Sequence, residues 1–219
     1  MDVMHQVREG KTIVAVGHHN GYDMDPDHLS NPDEREIVRH LSPRKRSEWL
    51  ASRELLYRIA GLPERVACVY DDFGKPYLLN TDLQISVSHS ENWCAAMVSN
   101  KSCGVDIQVY SDTVERISQR FLGVDELAIT GAFGNRLHQL HFLWGAKECM
   151  YKAYGKRKLE FREHIFIKSI NMATCQALGE IVFEGLHLHY DIHFRMLPEA
   201  AWVFCMQRDP AAYLHHQQL

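Results

Sequence analysis

One order of elements occurs twice along this sequence: a long helix and then a series of short strands. The first helix is predicted to begin after Ser42, a good N-cap residue followed by a proline, and to end at Gly61. The second helix is predicted over residues 137–154, with Gly155 at its C-terminal end. No residue-level repeat accompanies this order, so the sequence predicts two lobes that are similar in outline only.

The strands that follow each helix are short and lie close together in the sequence. Their apolar residues alternate with polar ones or form brief apolar runs, as the strands of a sheet do. The predicted strands span residues 11–16, 83–88, 93–99, 103–109, 165–170, 178–183, 186–194 and 201–207. We therefore expect an α+β fold in which each lobe packs a helix against an antiparallel meander.

Composition and charge exclude several classes of function. The chain has 219 residues and a formal net charge of −4, which disfavours a protein that binds nucleic acid by neutralising its phosphates. No apolar run is long enough to cross a bilayer, and the first residues lack the features of a signal peptide. The six cysteines form no Cys-x-x-Cys pair, which is typical of reduced thiols. We expect a cytoplasmic protein with no nucleic-acid or membrane partner.

Fourteen histidines are many for a chain of this length, so a metal site has to be considered. His187 and His189 alternate with apolar residues and could bind zinc, but the alternation favours an ordinary solvent-facing strand. His138 and His141 could share one face of a helix. Because no third ligand is evident in the sequence, neither pair predicts a zinc site.

Two segments bring acidic and basic side chains together. Strand alternation puts Asp106 and Gln108 on one face, and Glu148 and Lys152, four residues apart, share a helix face. Taken alone, Asp106 is a solvent-facing acid, and Glu148 with Lys152 is a surface ion pair worth roughly a few tenths of a kcal/mol. Taken together, Asp106 and Glu148 offer the carboxylates that Mg²⁺ prefers, and Lys152 would suit a pyrophosphate.

The segment from Ser86 to Ser90 offers hydroxyls beside an imidazole. A serine hydrolase is disfavoured, because the sequence has no Gly-x-Ser-x-Gly motif and neighbouring strand residues point to opposite faces. A hydroxyl and an imidazole at the end of a strand suit phosphate binding better. The sequence also lacks a phosphate loop of the Gly-x-x-x-x-Gly-Lys-Ser/Thr type, which disfavours other magnesium-dependent phosphoryl transferases.

Four motifs together resemble the 4′-phosphopantetheinyl transferase superfamily, in its longer surfactin-synthetase-activating (Sfp-like) form. The family pattern is Gly-Lys-Pro, Ser-x-Ser-His-Ser, Gly-(Ile/Val)-Asp-(Ile/Val)-Glu and Trp-x-x-Lys-Glu-x-x-x-Lys. The corresponding segments here occur in the same order at residues 74–76, 86–90, 104–108 and 144–152. The arginine-rich helix at 44–53 and Leu159-Glu160-Phe161 are also similar, so the resemblance covers about residues 42–170. Each motif is weak alone, but four in this order are specific.

The resemblance implies a pseudo-dimer of two lobes, residues 1–103 and 104–219, with coenzyme A in the cleft between them. A monomer is expected, because one chain holds both lobes. The implied contacts of the adenine and ribose are Gly74, Lys75 and Pro76. Those of the 3′-phosphate are His89, Arg53 and Arg46, and those of the pyrophosphate are Ser88 and Lys152. The implied Mg²⁺ ligands are Asp106, Gln108 and Glu148. A carrier protein would dock near residues 111–131, with apolar contacts from Val114, Ile117, Phe121 and Leu122.

The same resemblance implies an enzyme that transfers the 4′-phosphopantetheine group of coenzyme A to a serine of an acyl or peptidyl carrier protein, releasing adenosine 3′,5′-bisphosphate. The catalytic residues would be Asp106, Glu148 and Lys152. Glu148 would accept the proton of the serine, directly or through a bound water, and Lys152 would neutralise the pyrophosphate. Fatty-acid, polyketide and nonribosomal-peptide carriers all fit the resemblance.

Gln108 departs from the family pattern. The family usually has a glutamate at this position, so one negative charge is missing from the implied metal site, although an amide oxygen can still coordinate Mg²⁺. This departure supports the alternative that the protein is a non-catalytic family member that only binds coenzyme A or a carrier protein. Because Asp106, Glu148 and Lys152 are all present, we expect an active enzyme.

Overall fold

The computed structural model of the protein describes residues 2–23, 25, 29, 31–63, 65–156 and 158–209. Within these residues the chain forms two antiparallel sheets, a two-stranded ribbon and six α-helices. No helix in this part of the chain is both long enough and apolar enough to cross a bilayer. The combination of helices with antiparallel sheets confirms the predicted α+β class.

The first half of the chain forms a four-stranded sheet, a short ribbon and two helices. Its elements are β1 (Asp2–Glu9), β2 (Thr12–His18), α1 (Pro32–His40), α2 (Pro43–Ala60), β3 (Cys68–Tyr70), β4 (Pro76–Leu78), β5 (Gln84–Ser90) and β6 (Trp93–Ser99). The sheet has the strand order β1-β2-β6-β5, and β3 pairs with β4 in the separate ribbon. This order makes β5 an edge strand.

The second half forms a five-stranded sheet and four helices. Its elements are β7 (Cys103–Val109), α3 (Thr113–Ile117), α4 (Glu126–Ile129), α5 (Arg136–Tyr154), α6 (Phe161–His164), β8 (Ile165–Asn171), β9 (Gln176–Phe183), β10 (Leu186–Met196) and β11 (Ala200–Gln207). The strand order is β7-β11-β10-β9-β8. β7 is therefore an edge strand of this sheet, as β5 is of the other.

Both long helices end where the sequence predicts. At the C-terminus of α2, Gly61 has a φ of 63°, and Gly155 after α5 has a φ of 69°, a left-handed conformation that carries no Cβ penalty in glycine. Before α5, the Asn135 side chain accepts a hydrogen bond from the backbone N–H of His138. Ser42 occupies the N-cap of α2 as predicted, but its hydroxyl makes no capping hydrogen bond.

The structure contains every predicted strand, with ends displaced by a few residues, and its further elements include β1, β3 and α1. β1 is largely exposed, so no apolar face marks it in the sequence. α1 is short and mostly polar, and its N-terminus is capped by Asn31, whose side chain accepts from the N–H groups of Asp33 and Glu34.

Helices and sheets stack in four layers, and the middle core joins the two halves of the chain. One face of the first sheet packs against α2 around Leu56, and one face of the second sheet packs against α5 around Met150. The remaining two faces pack against each other, with Met97 and Trp202 in the core between them. This arrangement sets the edge strands β5 and β7 side by side.

Candidate active site

Serine side chains join the two sheets where β5 meets β7. Ser86, Ser88 and Ser90 alternate along β5, so they share the face of the strand that meets β7. The Ser86 hydroxyl accepts a hydrogen bond from the backbone N–H of Val105 at 3.0 Å, and the Ser90 hydroxyl accepts one from that of Val109 at 3.1 Å. The edge of β7 is thus satisfied by side chains instead of another strand. Ser88, between the two, meets a side chain of β7.

That side chain is Asp106, which is nearly buried at the centre of the junction. Its Oδ1 accepts hydrogen bonds from the Ser88 hydroxyl and from Nζ of Lys152, both at 2.8 Å. Its Oδ2 is buried and has no hydrogen-bond partner among the residues that the structure describes. A buried carboxylate oxygen without a donor is costly, so this atom is available to a ligand that brings positive charge.

Two glycines allow α5 to approach Asp106 closely. A Cβ on Gly104 would collide with the backbone oxygen of Cys149 on α5. A Cβ on Gly145 would lie 3.0 Å from Cγ2 of Val203 on β11, a tight contact, and 3.6 Å from Oδ2 of Asp106. The Gly-Val-Asp motif therefore needs its glycine so that the helix can bring its own functional side chains to the carboxylate.

Lys152 links α5 to both sheets through its ammonium group. Its Nζ donates to Oδ1 of Asp106 at 2.8 Å, to the Ser88 hydroxyl at 3.1 Å and to the backbone oxygen of Val105 at 2.9 Å. Burial alone would lower the pKa of Lys152, but the charge of Asp106 outweighs it and raises that pKa above its ordinary value. Lys152 therefore stays cationic while its side chain remains 27% exposed.

Glu148 and Lys152 share a helix face but do not form the surface ion pair that their spacing taken alone would suggest. Among the described residues, the ion pair of Lys152 is with Asp106 on β7 and not with Glu148 on its own helix. The reason is tertiary: α5 packs against β7 and offers the lysine a nearly buried carboxylate, a stronger partner than a helix neighbour.

Glu148 is the carboxyl group whose acidity is most useful for catalysis. Burial and then the negative charge of Asp106 raise the pKa of Glu148 to about 7, and the positive charge of Lys152 offsets this only in part. A group with this pKa can accept and release a proton near neutral pH. Because the charge of Asp106 contributes to the shift of this pKa, the two carboxyl groups lie close enough to repel each other.

The oxygen donors at this junction fit Mg²⁺. The Oδ2 atom of Asp106 lacks a partner among the described residues, and a cation would offset both the burial and the repulsion from Asp106 that raise the pKa of Glu148. Gln108 lies two residues after Asp106 on β7, half-buried, and its side chain makes no hydrogen bond within the part of the chain that the structure describes. Carboxylate and amide oxygens are suitable Mg²⁺ ligands, so these three residues are a coherent set.

A cavity of about 250 Å³ opens beside Lys152, between the ribbon and the end of α5. Its walls are Tyr70, Phe73, Gly74, Lys75, Pro76, Ile85, Ser86, Val87, Tyr151, Lys152, Gly155 and Lys156. The structure thus brings the Gly-Lys-Pro motif to the same cavity as Lys152. A cavity with aromatic walls and lysines at its edge suits a flat base attached to phosphates.

The Gly-Lys-Pro motif is held in place by the turn that precedes it. Oδ1 of Asp71 accepts from the backbone N–H groups of Phe73 and Lys75, each at 2.9 Å. Gly74 has a φ of 87°, which favours glycine at this position. Pro76 then begins β4. The turn is therefore stabilised by hydrogen bonds within the chain itself.

Lys75 lines the cavity with its stem, but its ammonium group is already used. Nζ donates to the backbone oxygen of Ala153 at 2.9 Å, at the C-terminal end of α5, where carbonyl groups lack partners within the helix. The hydroxyl of Ser102 donates to the same oxygen at 2.6 Å. Lys75 thus connects the ribbon of the first half to the main helix of the second.

The residues predicted to bind the 3′-phosphate differ in their exposure and in their present contacts. His89 is about half-exposed, and burial lowers its pKa, assisted by the positive charges of Lys152 and Arg53, while Glu48 opposes the change. Arg53 is buried, lies over the rings of Trp49 and Tyr70 and donates to the Tyr70 hydroxyl. Its Nε has no hydrogen-bond partner among the described residues. Arg53 therefore brings a positive charge to this region, whereas His89, with its lowered pKa, brings an imidazole that is mostly neutral near pH 7.

Arg46 and Glu48 change the picture that the sequence suggested for this region. Arg46 forms a two-bond ion pair with Asp23, at 2.9 and 3.1 Å, so its guanidinium already binds a carboxylate. Glu48 contacts His89 at 3.5 Å and accepts from Arg44 at 2.9 Å. The motifs assign no role to Arg44 or Glu48, although their spacing of four residues on one helix is the signal for such a pair.

The aromatic and basic wall of the cavity was also missed. Tyr151 and Lys156 flank the last turn of α5, next to the recognised motif, but their types are equally common on ordinary helix surfaces. Likewise, Ser86 and Ser90 were seen only as part of a phosphate-binding motif. Their alternation with period two is the signal that they share a face with Ser88.

Two of the four predicted docking contacts are wrong. Val114 and Phe121 are buried in the core beneath α5, at 4% and 0% exposure, so they cannot meet a partner. Ile117 and Leu122 are only partly buried, and Val124, which the sequence did not single out, is 82% exposed. Helical periodicity in this segment marked the residues that face α5, not those that face solvent.

His138 and His141 act as structural residues. His141 is fully buried, its Nε2 accepts from the backbone N–H of Ser111 at 3.2 Å, and its Nδ1 lies 2.9 Å from the oxygen of Leu137. Both imidazoles pack against the ring of Tyr110. The two histidines of α5 pack against the segment that follows β7. This contact accounts for the one helix face that they share.

A larger groove, of about 810 Å³, contains none of the predicted site residues. Much of its charge is internally paired: Arg208 lies 2.9 Å from Asp191, and Lys101 lies 3.0 Å from Asp209. Size alone does not make it the better candidate, because the unpartnered carboxylate and the carboxyl of raised pKa lie at the junction of β5 and β7.

Comparison with known proteins finds similarity to one family. The family model of the 4′-phosphopantetheinyl transferase superfamily matches residues 102–206, from the beginning of β7 to the end of β11, which include Asp106, Glu148 and Lys152. The chain is 28% identical over 110 residues to a 4′-phosphopantetheinyl transferase gsp from Aneurinibacillus migulanus. That match covers 49% of this chain and 46% of the relative, so it spans about half of the relative's length.

The comparisons support the 4′-phosphopantetheinyl transferase superfamily, in its Sfp-like type, for the half of the chain that they match. This confirms the family that the four motifs predicted. The family model covers two of those motifs, the Gly-Val-Asp strand and the Trp-Gly-Ala-Lys-Glu helix. The other two motifs precede the matched residues and meet them in space, at the cavity and at the serine junction.

Proposed function

We propose that this protein transfers the 4′-phosphopantetheine group of coenzyme A to a serine of an acyl or peptidyl carrier protein and releases adenosine 3′,5′-bisphosphate. One observation carries the proposal: Asp106, Lys152 and Ser88 form a charged network beside Glu148, whose pKa is about 7. The network combines a cation for a phosphate with a group that can accept a proton. The name of the matched relative supports the same activity.

We propose that coenzyme A binds across the junction of the two sheets. Its adenine and ribose would occupy the cavity lined by Gly74, Lys75 and Pro76. Its 3′-phosphate would lie near His89, with Arg53 and Arg46 close by, and would have to replace the carboxylate that Arg46 now binds. Its pyrophosphate would meet Lys152 and Ser88, which would then exchange part of their present hydrogen bonds for phosphate oxygens.

The proposed Mg²⁺ ligands are Asp106, Glu148 and Gln108. They are supported by the unpartnered Oδ2 atom of Asp106 and by the repulsion between the two carboxyl groups. When bound, Mg²⁺ would supply positive charge that reduces the repulsion between the pyrophosphate and an incoming nucleophile. Gln108 would contribute an uncharged oxygen where the family usually has a carboxylate.

The reaction is a displacement at the phosphorus that bears pantetheine. The hydroxyl oxygen of the carrier serine forms the new bond to this phosphorus, and the bond to the bridging oxygen breaks, so that adenosine 3′,5′-bisphosphate leaves with the electron pair. Glu148 would accept the proton of the hydroxyl, directly or through a bound water. Its pKa of about 7 belongs to the metal-free site, and a bound Mg²⁺ would lower it. Lys152 stabilises the charge that develops on the phosphates.

The carrier protein is proposed to dock beside the segment 111–131, which follows β7 directly. Ile117, Leu122 and Val124 are its candidate apolar contacts, since they keep exposed surface. We further propose that the two halves, 1–103 and 104–219, form a pseudo-dimer within a monomeric chain. A cytoplasmic location is supported by the six free cysteines, which suit a reducing compartment.

Intact-mass spectrometry of apo carrier proteins tests the proposed function. The protein is incubated with coenzyme A, Mg²⁺ and an apo acyl carrier protein or peptidyl carrier domain. We expect the carrier to gain the mass of one phosphopantetheine group, with no gain after addition of EDTA or after replacement of the acceptor serine. Absence of any gain across carriers of the fatty-acid, polyketide and nonribosomal-peptide types, with coenzyme A binding retained, would instead support a non-catalytic binding protein.

A further inference from the structure

The outer face of β9 and β10 carries a cluster of polar side chains that the proposed reaction does not use. Glu180 stands on β9, and His187 and His189 stand on β10. These strands lie in the five-stranded sheet, two and three positions from β7. Tyr190 and Ile192 of β10 face the core beneath α5, so the two histidines face away from it.

Strand register brings the three side chains together. His189 is directly opposite Glu180, and His187 is two residues along the same strand, on the same face. One ligand atom from each of the three residues lies within 4.8 Å of the others. The two imidazole rings have their centres 4.2 Å apart. The sequence offered no third ligand for this His-x-His pair, because Glu180 becomes its neighbour only through the pairing of β9 with β10.

Glu180 is held so that one oxygen faces the histidines. Lys168 contacts Oε1 at 3.0 Å, while Oε2 lies 2.8 Å from Nε2 of His187 and 4.0 Å from Nδ1 of His189. The side chain of Glu180 is only 14% exposed and that of His189 only 20%. The cluster is therefore partly shielded from water, and a small cavity of about 120 Å³ lies next to it.

The ionisation of the cluster suits a cation. Burial would raise the pKa of Glu180, but the hydrogen bonds from His187 and Lys168 outweigh it and lower that pKa, so the carboxylate is charged.

We propose that Glu180, His187 and His189 bind a divalent transition-metal ion, with Zn²⁺ the best match. Two imidazole nitrogens and one carboxylate oxygen are a frequent Zn²⁺ ligand set, and they suit Mg²⁺ poorly. Lys168 would remain on Oε1, leaving Oε2 for the ion. The Nε2 atom of His187 would exchange its contact with Glu180 for the ion. The ring proton of His187 would then be on Nδ1. The fourth position would be open to water or to another ligand.

Calorimetric titration of chelator-treated full-length protein with Zn²⁺ tests this site. Excess Mg²⁺ is kept in the buffer, so that the carboxylates proposed at the other site are occupied. We expect one Zn²⁺ per chain with about micromolar or tighter affinity, and an affinity weaker by at least about tenfold in H187A/H189A. The matched control is His193→Ala, a partly exposed histidine on the same strand, which should leave Zn²⁺ affinity unchanged.

Two further measurements separate this site from binding elsewhere. Co²⁺ added in place of Zn²⁺ should give the visible absorption of a four-coordinate site in the parent protein and in H193A, but not in H187A/H189A. The far-ultraviolet circular dichroism spectra of all three proteins should agree, which excludes misfolding as the cause of the loss. Zn²⁺ affinity equal in the parent protein and in H187A/H189A, or no binding by the parent, would overturn the proposal.

Discussion

Two lysines of α5, five residues apart, form ion pairs of opposite character. Lys147 is fully buried, pairs with Glu126 at 2.8 Å and also donates to the backbone oxygens of Phe121, Phe161 and Ile165. Lys152 pairs with Asp106 at the same distance but keeps 27% of its side chain exposed to the cleft. The two lysines share a helix and a motif, but their ion pairs differ in access to solvent.

The two carboxylates differ even more than the lysines. Both oxygens of Glu126 are satisfied: Oε2 accepts from the N–H of Gly123 at 2.6 Å, and Oε1 accepts from the N–H of Ile167 at 2.9 Å. Asp106 has one satisfied oxygen and one buried oxygen without a partner. A closed network stabilises a fold, whereas an incomplete one leaves a position for a ligand. We therefore infer a structural role for Lys147 and a catalytic role for Lys152.

The largest effect is expected from removing the buried cation. Lys147→Met should lower the free energy of unfolding by about 3–5 kcal/mol, because Glu126 would be left as a buried charge without a counter-ion. Urea denaturation followed by circular dichroism measures this change. The double variant with Glu126→Gln should recover part of the loss. A loss below about 1 kcal/mol in Lys147→Met would contradict the structural assignment.

Removing either functional group at the cleft should affect the rate more than the fold. Lys152→Ala and Glu148→Gln are each expected to lower the rate of phosphopantetheine transfer by about a hundredfold or more, through loss of charge stabilisation and of the base. Initial rates from the carrier mass assay measure this change, and urea denaturation provides the control for folding. Near-normal rates in both variants would exclude the mechanism. A loss of stability in Lys152→Ala as large as that in Lys147→Met would remove the contrast between the two pairs.

The sequence is sufficient to predict the helices that carry Lys147 and Lys152, but not the ion pairs that these lysines form. The ends of α2 and α5 were predictable, because Gly61 and Gly155 adopt a conformation that suits glycine. That Lys152 contacts Asp106 was not predictable, since it depends on how closely α5 approaches β7. The same limit hid the partners of Lys147, which come from two segments on either side of α5 in the chain, residues 121–126 and 161–165.

The candidate site shows the same division. Asp106, Glu148 and Lys152 were identified by motif, and the structure brings them together. The predicted docking residues Val114 and Phe121 failed, because an apolar helical pattern does not distinguish a core face from a binding face. Burial, and with it the raised pKa of Glu148, is a property of the packed molecule and has no sequence signal.

The free energy of unfolding should depend on pH because of the incomplete network of Asp106, Lys152 and Glu148. The pKa of Glu148 is about 7 in the folded protein against an ordinary 4.5, so the folded state holds this proton while the unfolded chain releases it. Stability should therefore fall as pH rises from about 4.5 to 7 and then level off, a change of about 2 kcal/mol after allowance for partial solvent contact. Urea denaturation in EDTA, without coenzyme A, measures it. Glu148→Gln should flatten the profile, and an unchanged profile in this variant would contradict the assigned pKa.

The smallest effect is expected at Gln108, where one charge can be added to the incomplete network. Gln108→Glu should keep activity and lower the Mg²⁺ concentration needed for half-maximal transfer by about three- to tenfold, because a third carboxylate strengthens attraction for the cation. Gln108→Ala is the matched control: it removes the oxygen without adding charge, so more Mg²⁺ should be needed. If Gln108→Glu abolishes transfer while Mg²⁺ still binds, the amide has a role that a carboxylate cannot fill. Such a result would move Gln108 from a weak metal ligand to a residue that contacts the substrate, and the site would then differ from its relatives in mechanism as well as in charge.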